Sequence, residues 1–265
     1  MFEDMSINTK YAILFSGFSA KRHIYDLELI YRTLIDYYNY KESNIFVLAN
    51  EELIKNKTWK GDETPFRIKI TDKSTKKDLK NILLLLAKKI NKNDTLLIHT
   101  NGHGINYFLN SAFLTCRLEI LSANYFAKML NNLPEFKNLI VIMQQCFSGG
   151  FGKHIIKNAK AKNIFFCSAA SEFSLSRGTE FFNHFTLDFF SYLIGSYPPK
   201  IPIDKNNFYF TERGFLKKSD IINNKMYENY PLLKKAFLYA SSLSKKDKPL
   251  IIESPKDCSN QINVI

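Results

Sequence analysis

Asp94 to Gly104 reads DTLLIHTNGHG, and Asn138 to Gly150 reads NLIVIMQQCFSGG. Each opens with a short apolar run and breaks into polar residues and glycine, the pattern of a strand buried on both faces and ending at a turn. Upstream, Tyr11 to Ser16 (YAILFS), closed by Gly17, has the same form. Between His23 and Tyr38 the residues Ile24, Leu27, Ile30, Tyr31 and Leu34 recur at helical spacing, and Ile45 to Leu48 predicts a second strand. Asn50 to Asp72, with Pro65 and many charges, reads as a loop holding a strand at Phe66 to Ile70. Ser74 or Thr75 can cap a helix through Ile90, with Leu79, Ile82, Leu83 and Leu86 on one face.

The interval between the two opening stretches predicts a hairpin over Tyr107 to Leu114, turning near Asn110-Ser111, and a helix from Ser122 to Asn131. After Gly150 come a helix to Asn158, a strand at Asn163 to Ser168 (NIFFCS) and an aromatic helix, Phe181 to Ile194, stopped by Gly195 and Pro198-Pro199. Past Pro202 the pattern weakens to a helix at Tyr230 to Ser242 and an extended segment at Pro249 to Glu253. Strands alternating with helices predict an α/β fold, a three-layer αβα sandwich around a mainly parallel sheet. The tail has too few apolar segments for its own core. Residues 1–265 are therefore read as one domain, its core at about 10–195 and its 200–265 part completing it.

Composition narrows the class. The chain has 265 residues, 45% hydrophobic and 14% aromatic, enough apolar area to exclude disorder. Four cysteines without a C-x-x-C pair argue against a disulfide scaffold or structural zinc, and for free thiols in a reducing compartment. No apolar run approaches the roughly 20 residues of a membrane span. The opening MFEDMSINTK does not read as a signal peptide, so a soluble cytoplasmic protein is the expectation. The net charge is +12, but only six of the 37 basic residues are arginine and the lysines are scattered. That describes a solvated surface rather than a nucleic-acid stripe.

In a parallel sheet, functional residues collect beyond the carboxyl ends of the strands. One end carries His103 between Gly102 and Gly104, and another carries Cys146 followed by Ser148-Gly149-Gly150. A cysteine on a strand-to-helix turn sits among free N–H groups that favour the thiolate and can hold an oxyanion. Gly149 and Gly150 are read as room for the turn and an approaching substrate chain. His103 can move the proton, and Gly104 exposes an amide. Five of the ten glycines, Gly102, Gly104, Gly149, Gly150 and Gly152, lie in these two turns.

The Asn101-Gly102-His103-Gly104 turn followed by Gln144-Gln145-Cys146-Phe147-Ser148-Gly149-Gly150 resembles the His-Gly and Cys signatures of the caspase, metacaspase and legumain group of cysteine peptidases, clan CD. Arg22-His23 after the first strand is similar to the legumain-type opening, and Cys167-Ser168-Ala169-Ala170-Ser171 to the group's strand-end Ala-Ala segment. The resemblance covers about residues 10–195. It implies a caspase-like fold and a cysteine endopeptidase acting on protein or peptide through a Cys146-His103 dyad, the amides of Cys146 and Gly104 holding the oxyanion, with no cofactor or metal. It also implies a substrate pocket at Arg22, Gln144, Ser168 and Arg177. Gln144 stands where legumains tend to carry Glu and metacaspases Asp, so a counter-charge for Lys or Arg is missing. With two guanidiniums this pocket suits Asp or Asn before the scissile bond.

Other residues read as structure. His99, His154 and His184, Met129, Met143, Cys167 and the Phe181, Phe182, Phe185, Phe189, Phe190 set suit packing or surface roles, and Ser148 suits support of the cysteine turn. His99 and His103 have H-x-x-x-H spacing, but on a strand-to-loop segment their rings need not converge on a metal. Two alternatives compete with hydrolysis: transfer of the acyl group to an amine, as related family members perform, and a caspase-like binding scaffold with a basic surface. Pro198 to Asn207 reads as an exposed cleavable loop. Oligomeric state is not legible.

Overall fold

The computed structural model describes residues 8–54, 57–59, 62, 64–108, 110–195, 197–198 and 229–262. Its centre is a seven-stranded sheet in the order β10-β9-β8-β4-β1-β2-β3. The strands are β1 (Lys10–Ser16), β2 (Ile45–Leu48), β3 (Ile70–Asp72), β4 (Thr95–Asn101), β8 (Phe136–Met143), β9 (Ala161–Ser168) and β10 (Leu250–Ser254). All neighbours pair in parallel except β10, which runs antiparallel along β9. A smaller antiparallel sheet joins β5 (Gly104–Tyr107), β6 (Asn110–Leu114) and β7 (Ile120–Ser122).

Strand alternation builds the layers. Ala12, Leu14, Val47, Leu97, Ile140, Ile142 and Phe165 face α1 (Lys21–Asp36), α5 (His184–Ile194) and α6 (Leu232–Leu243). Their neighbours Ile13, Phe15, Leu48, Leu96, Ile98, Leu139 and Val141 face α2 (Lys76–Ala87), α3 (Ala123–Leu130) and α4 (Phe151–Asn158). The result is an α/β three-layer sandwich, as the alternation of elements predicts. Leu233, Phe237, Cys258 and Ile262 share one core cluster with Leu14 and Ile30, so the C-terminal segment packs on the same sheet as the N-terminal half. Among the described residues no helix is long and apolar enough to cross a membrane.

Several boundaries move for identifiable reasons. The strand expected at Phe66 to Ile70 is instead the three-residue Ile70–Asp72, because the amides of Arg67 and Ile68 donate to the buried Glu28 carboxylate (2.9 and 3.0 Å) rather than to a ladder. Tyr107 pairs with Asn110, so the hairpin turns before Asn110 and not at Asn110-Ser111, with Phe108 at φ +47° and its carbonyl accepting from the Asn110 side chain. Strand β7, which the pattern did not suggest, closes that small sheet. Helix α5 begins at His184 rather than Phe181, since the Phe182 carbonyl accepts the Thr179 amide (2.7 Å) and the Thr186 amide that a longer helix would bring to it donates to Gln144 Oε1 instead (2.9 Å). Thr75 caps α2 by accepting from the Asp78 amide, and Ser122 caps α3 through Tyr125. Apart from Pro198, the expected cleavable loop at Pro198 to Asn207 lies outside the described residues.

Candidate active site

The chain runs from β1 outward through β2 and β3, then returns to the other side of β1 as β4 and continues to β8 and β9. The order reverses between β1 and β4, and the crevice beyond their carboxyl ends is where such sheets place ligands. There the Gly17 amide donates to the Asn101 carbonyl and the His103 amide to the Phe18 carbonyl, each at 3.0 Å. Gly102 turns the chain at φ +118°, a conformation that favours glycine, within van der Waals range of the Gly17 and Phe18 backbone.

The two signature turns are in direct backbone contact. A Cβ added to Gly104 would lie 1.9 Å from the Cys146 carbonyl oxygen and 3.0 Å from the Cys146 nitrogen. Only glycine permits that approach. In the β5–β6 ladder Leu114 donates to the His103 carbonyl (3.0 Å), which makes Gly104 and Phe113 a pair without mutual hydrogen bonds and turns the Gly104 N–H away from β6. Among the described residues neither this amide nor that of Cys146 has a hydrogen-bond partner. Two unspent donors thus stand beside the half-buried thiol.

The cysteine turn is held from the opposite side. Phe147, directly after Cys146, sits at φ +60°, a left-handed conformation unusual for a bulky residue, and its amide donates to the Ser174 carbonyl (2.9 Å). Ser176 brackets the thiol: its amide donates to Sγ at 3.3 Å, and the thiol donates to its carbonyl at 3.7 Å. Ser148 Oγ reaches the Met143 carbonyl (3.4 Å), tying the turn to the end of β8.

His103 is exposed, with its ring 5.5 Å from Phe18 and 5.9 Å from the buried His23, centroid to centroid. Partial burial, and then the neighbouring Arg22 charge, hold the His103 imidazole below its ordinary value, which favours the neutral ring. His23 is driven lower still by burial and by the charges around it, and its Nδ1 accepts from the Ala20 amide (2.9 Å). His99, four residues before His103, lies in the core against Phe190, so the H-x-x-x-H spacing separates a core residue from a surface one.

The four residues expected in a substrate pocket have different surroundings. Arg22, half-buried, donates through Nε to Asn183 Oδ1 (3.3 Å); its terminal amines have no hydrogen-bond partner among the described residues. Gln144 is buried with its amide already committed: Oε1 accepts from the Thr186 amide and hydroxyl (2.9 and 2.7 Å), and Nε2 donates to Ser176 Oγ. It shapes the floor beneath the thiol rather than offering a free group. Arg177 is paired with the nearly buried Asp247 carboxylate, which also accepts the Arg177 amide (2.9 Å), so its charge is compensated. Ser168 is fully buried, and its hydroxyl donates to the Ala170 carbonyl (2.9 Å), so it has no surface to present to a ligand.

The glycine expectation also needs correction. A Cβ on Gly149 would meet the backbone of residues 170–172, one on Gly150 the Ser111 hydroxyl, and one on Gly152 the side chains of Phe166 and Ile252. These three are small because the protein packs against them. Of the five, Gly104 keeps the close approach between the two turns, and Gly102 the bend at φ +118°.

Four residues at the site carried no sequence signal that was read: Asp26, Asn183, Ser176 and Thr186. Asp26 is fully buried one helical turn after Arg22, and that i, i+4 spacing was the available clue. Burial pushes its carboxyl up to about 7, against hydrogen bonds from Asn183 and Asn101 that pull it down.

Neither a family model nor a curated protein matches the chain. Among solved structures, the crystal structure of protein GSU0716 from Geobacter sulfurreducens aligns at 12% identity and a TM-score of 0.46, over 72% of this chain and 84% of that one.

Proposed function

We propose that the protein is a caspase-like cysteine endopeptidase in which Cys146 and His103 carry the chemistry. The single observation behind this reading is the backbone contact of Gly104 with Cys146, which sets two unpartnered amides beside a half-buried thiol past the carboxyl ends of β4 and β8.

In the proposed reaction the Cys146 sulfur attacks the scissile carbonyl while its proton passes to His103. The carbonyl oxygen takes the negative charge and is held by the amides of Cys146 and Gly104, donors of a kind worth about 10²–10³ in rate each. The C–N bond then breaks as His103 returns the proton to the leaving amine. Water, deprotonated by His103, cleaves the thioester and restores the thiol. A neutral His103 suits the accepting step, and its depressed pKa favours that state.

Arg22 is the guanidinium left free to meet a substrate, because Arg177 is already paired with Asp247. The side chain preceding the scissile bond is therefore an acid or its amide, Asp or Asn, with Arg22 supplying the fork. A thiol-reactive peptide ending in Asp tests the reading. Intact-mass analysis should show one adduct on the wild type, mapped to Cys146 and absent from Cys146→Ala; a wild type never labelled at Cys146 overturns it.

A further inference from the structure

Asp26 takes no part in the chemistry above, yet it is a fully buried carboxyl, and two separate pieces of chain converge on it. Oδ1 accepts the Asn183 backbone amide (3.1 Å), and Oδ2 accepts the Asn183 side-chain amide (2.5 Å) and, at 3.4 Å, that of Asn101. Asn183 precedes α5, Asn101 ends β4 two residues before His103, and Asp26 itself lies on α1.

The bonds are directional. A carboxyl that receives both the main-chain and side-chain N–H of Asn183 leaves that amide one orientation, with its Oδ1 turned to the Arg22 Nε (3.3 Å). Arg22 is thereby gripped at Nε, and its two terminal amines remain for a carboxylate. On the other side the Asn101 amide donates also to the His23 carbonyl (2.8 Å), binding the end of β4 to the first turn of α1. Burying a carboxyl is costly, and an apolar side chain of similar volume would fill the space at lower cost. Its bonds run to the two residues that seat Arg22 and the His103 turn.

We propose that Asp26 is a positioning residue for the site: through Asn183 it aims Arg22 at the carboxylate of the residue before the scissile bond, and through Asn101 it holds the His103 turn against α1. The substrate half rests on the peptidase reading; the geometric half does not.

The test uses the full chain as wild type, Asp26→Asn, Asn183→Ala, Arg22→Ala and the double variant Arg22→Ala/Asn183→Ala. Two fluorogenic peptides differing only in Asp or Ala before the scissile bond give a selectivity ratio, and ¹⁵N NMR reads the Arg22 Nε–H and the His103 ring without substrate. Asp26→Asn and Asn183→Ala should each lower the Asp/Ala ratio of kcat/KM by about tenfold, mostly through KM, and Asn183→Ala should add nothing once Arg22 is gone. Asp26→Asn should shift both the Arg22 and the His103 signals, and Asn183→Ala the Arg22 signal. Signals unmoved in a folded Asp26→Asn variant, an unchanged ratio, or losses that multiply in the double variant overturn the proposal. A wild type that cuts neither peptide sinks the peptidase reading, and the NMR comparison then decides the role of Asp26 alone. If Asp26→Asn does not fold, Asn183→Ala and Asn101→Ala carry the same comparison, Asn101→Ala being expected to shift the His103 signals.

Discussion

At Gly104 a single methyl group decides whether the two signature turns can touch. Its Cβ would fall 1.9 Å from the Cys146 carbonyl oxygen, so Gly104→Ala must push the turns apart. We expect it to lower kcat/KM at least about 100-fold while costing about 1–3 kcal/mol of stability. Urea unfolding alongside peptide assay separates the two, and a variant with near-normal activity would contradict the role given to this contact. His99 is a second test at this scale. Neither ring nitrogen makes a hydrogen bond of normal geometry, and burial, only slightly offset by the Ile142 backbone, holds its pKa at about 3 against an ordinary 6.5. Between those values the unfolded chain binds a proton that the folded chain refuses, so this residue removes stability as pH falls through the window, by at most about 1.4 kcal/mol per unit. Asp26 works in the opposite sense: its carboxyl is raised from 3.8 to about 7, the folded chain holds the extra proton, and its contribution declines as pH rises. The informative quantity is therefore the difference between wild type and His99→Leu. Leucine should stabilise the protein at pH 7 and by a larger margin at pH 5, measured as urea midpoints; an equal margin at both would show that His99 is not held neutral.

Short elements here are set by buried carboxylates as much as by apolar pattern. Glu28, on α1, receives the amides of Arg67 and Ile68 and the Arg32 side chain, and so binds the 64–68 segment against the helix. Glu28→Ala would leave two amides and the Arg32 Nε without their acceptor, at a cost of about 2–4 kcal/mol, readable as a lowered thermal midpoint. This is why Phe66 to Ile70 does not form the expected strand: the amides of Arg67 and Ile68 belong to a helix about 40 residues away in sequence. The same holds for the start of α5, where the Thr179 amide and the Gln144 side chain take the Phe182 carbonyl and the Thr186 amide that a longer helix would have paired. By contrast the buried strands and the caps at Thr75 and Ser122 were legible, because alternation and local capping involve near neighbours in the chain. Asp247 extends the theme to the site. Its carbonyl accepts from Ser171 and Ser174, and its carboxylate from Arg177, so one residue fastens the segment that brackets Cys146. Asp247→Ala should change the rate of Cys146 alkylation by iodoacetamide several-fold with little change in the thermal midpoint; an unchanged rate would show that Ser176 holds the thiol unaided.

Across the whole molecule, the sheet is parallel until its last strand. β10 covers the open edge of β9 in antiparallel register, from Leu250 opposite Ser168 to Ser254 opposite Ile164. Truncation after residue 248 should expose that edge and leave an aggregation-prone protein, checked by solubility and light scattering. The layer architecture could be read from the sequence because each element declares its period, and the pairing of the His103 and Cys146 turns because both follow strands of the same kind. The expected pocket residues were less legible: Gln144 and Arg177 are satisfied by partners distant in sequence, and Ser168 is buried with its hydroxyl on the Ala170 carbonyl, so residue type alone does not tell a free side chain from a committed one. Whether Cys146 cleaves peptide bonds with His103, as we propose, is decided by a peptide-library cleavage profile of the wild type beside Cys146→Ala. We expect cleavage by the wild type after acidic or amide side chains and none by the variant; a wild type that cuts nothing, or a Cys146→Ala protein that cuts as well as the wild type, would overturn the proposal.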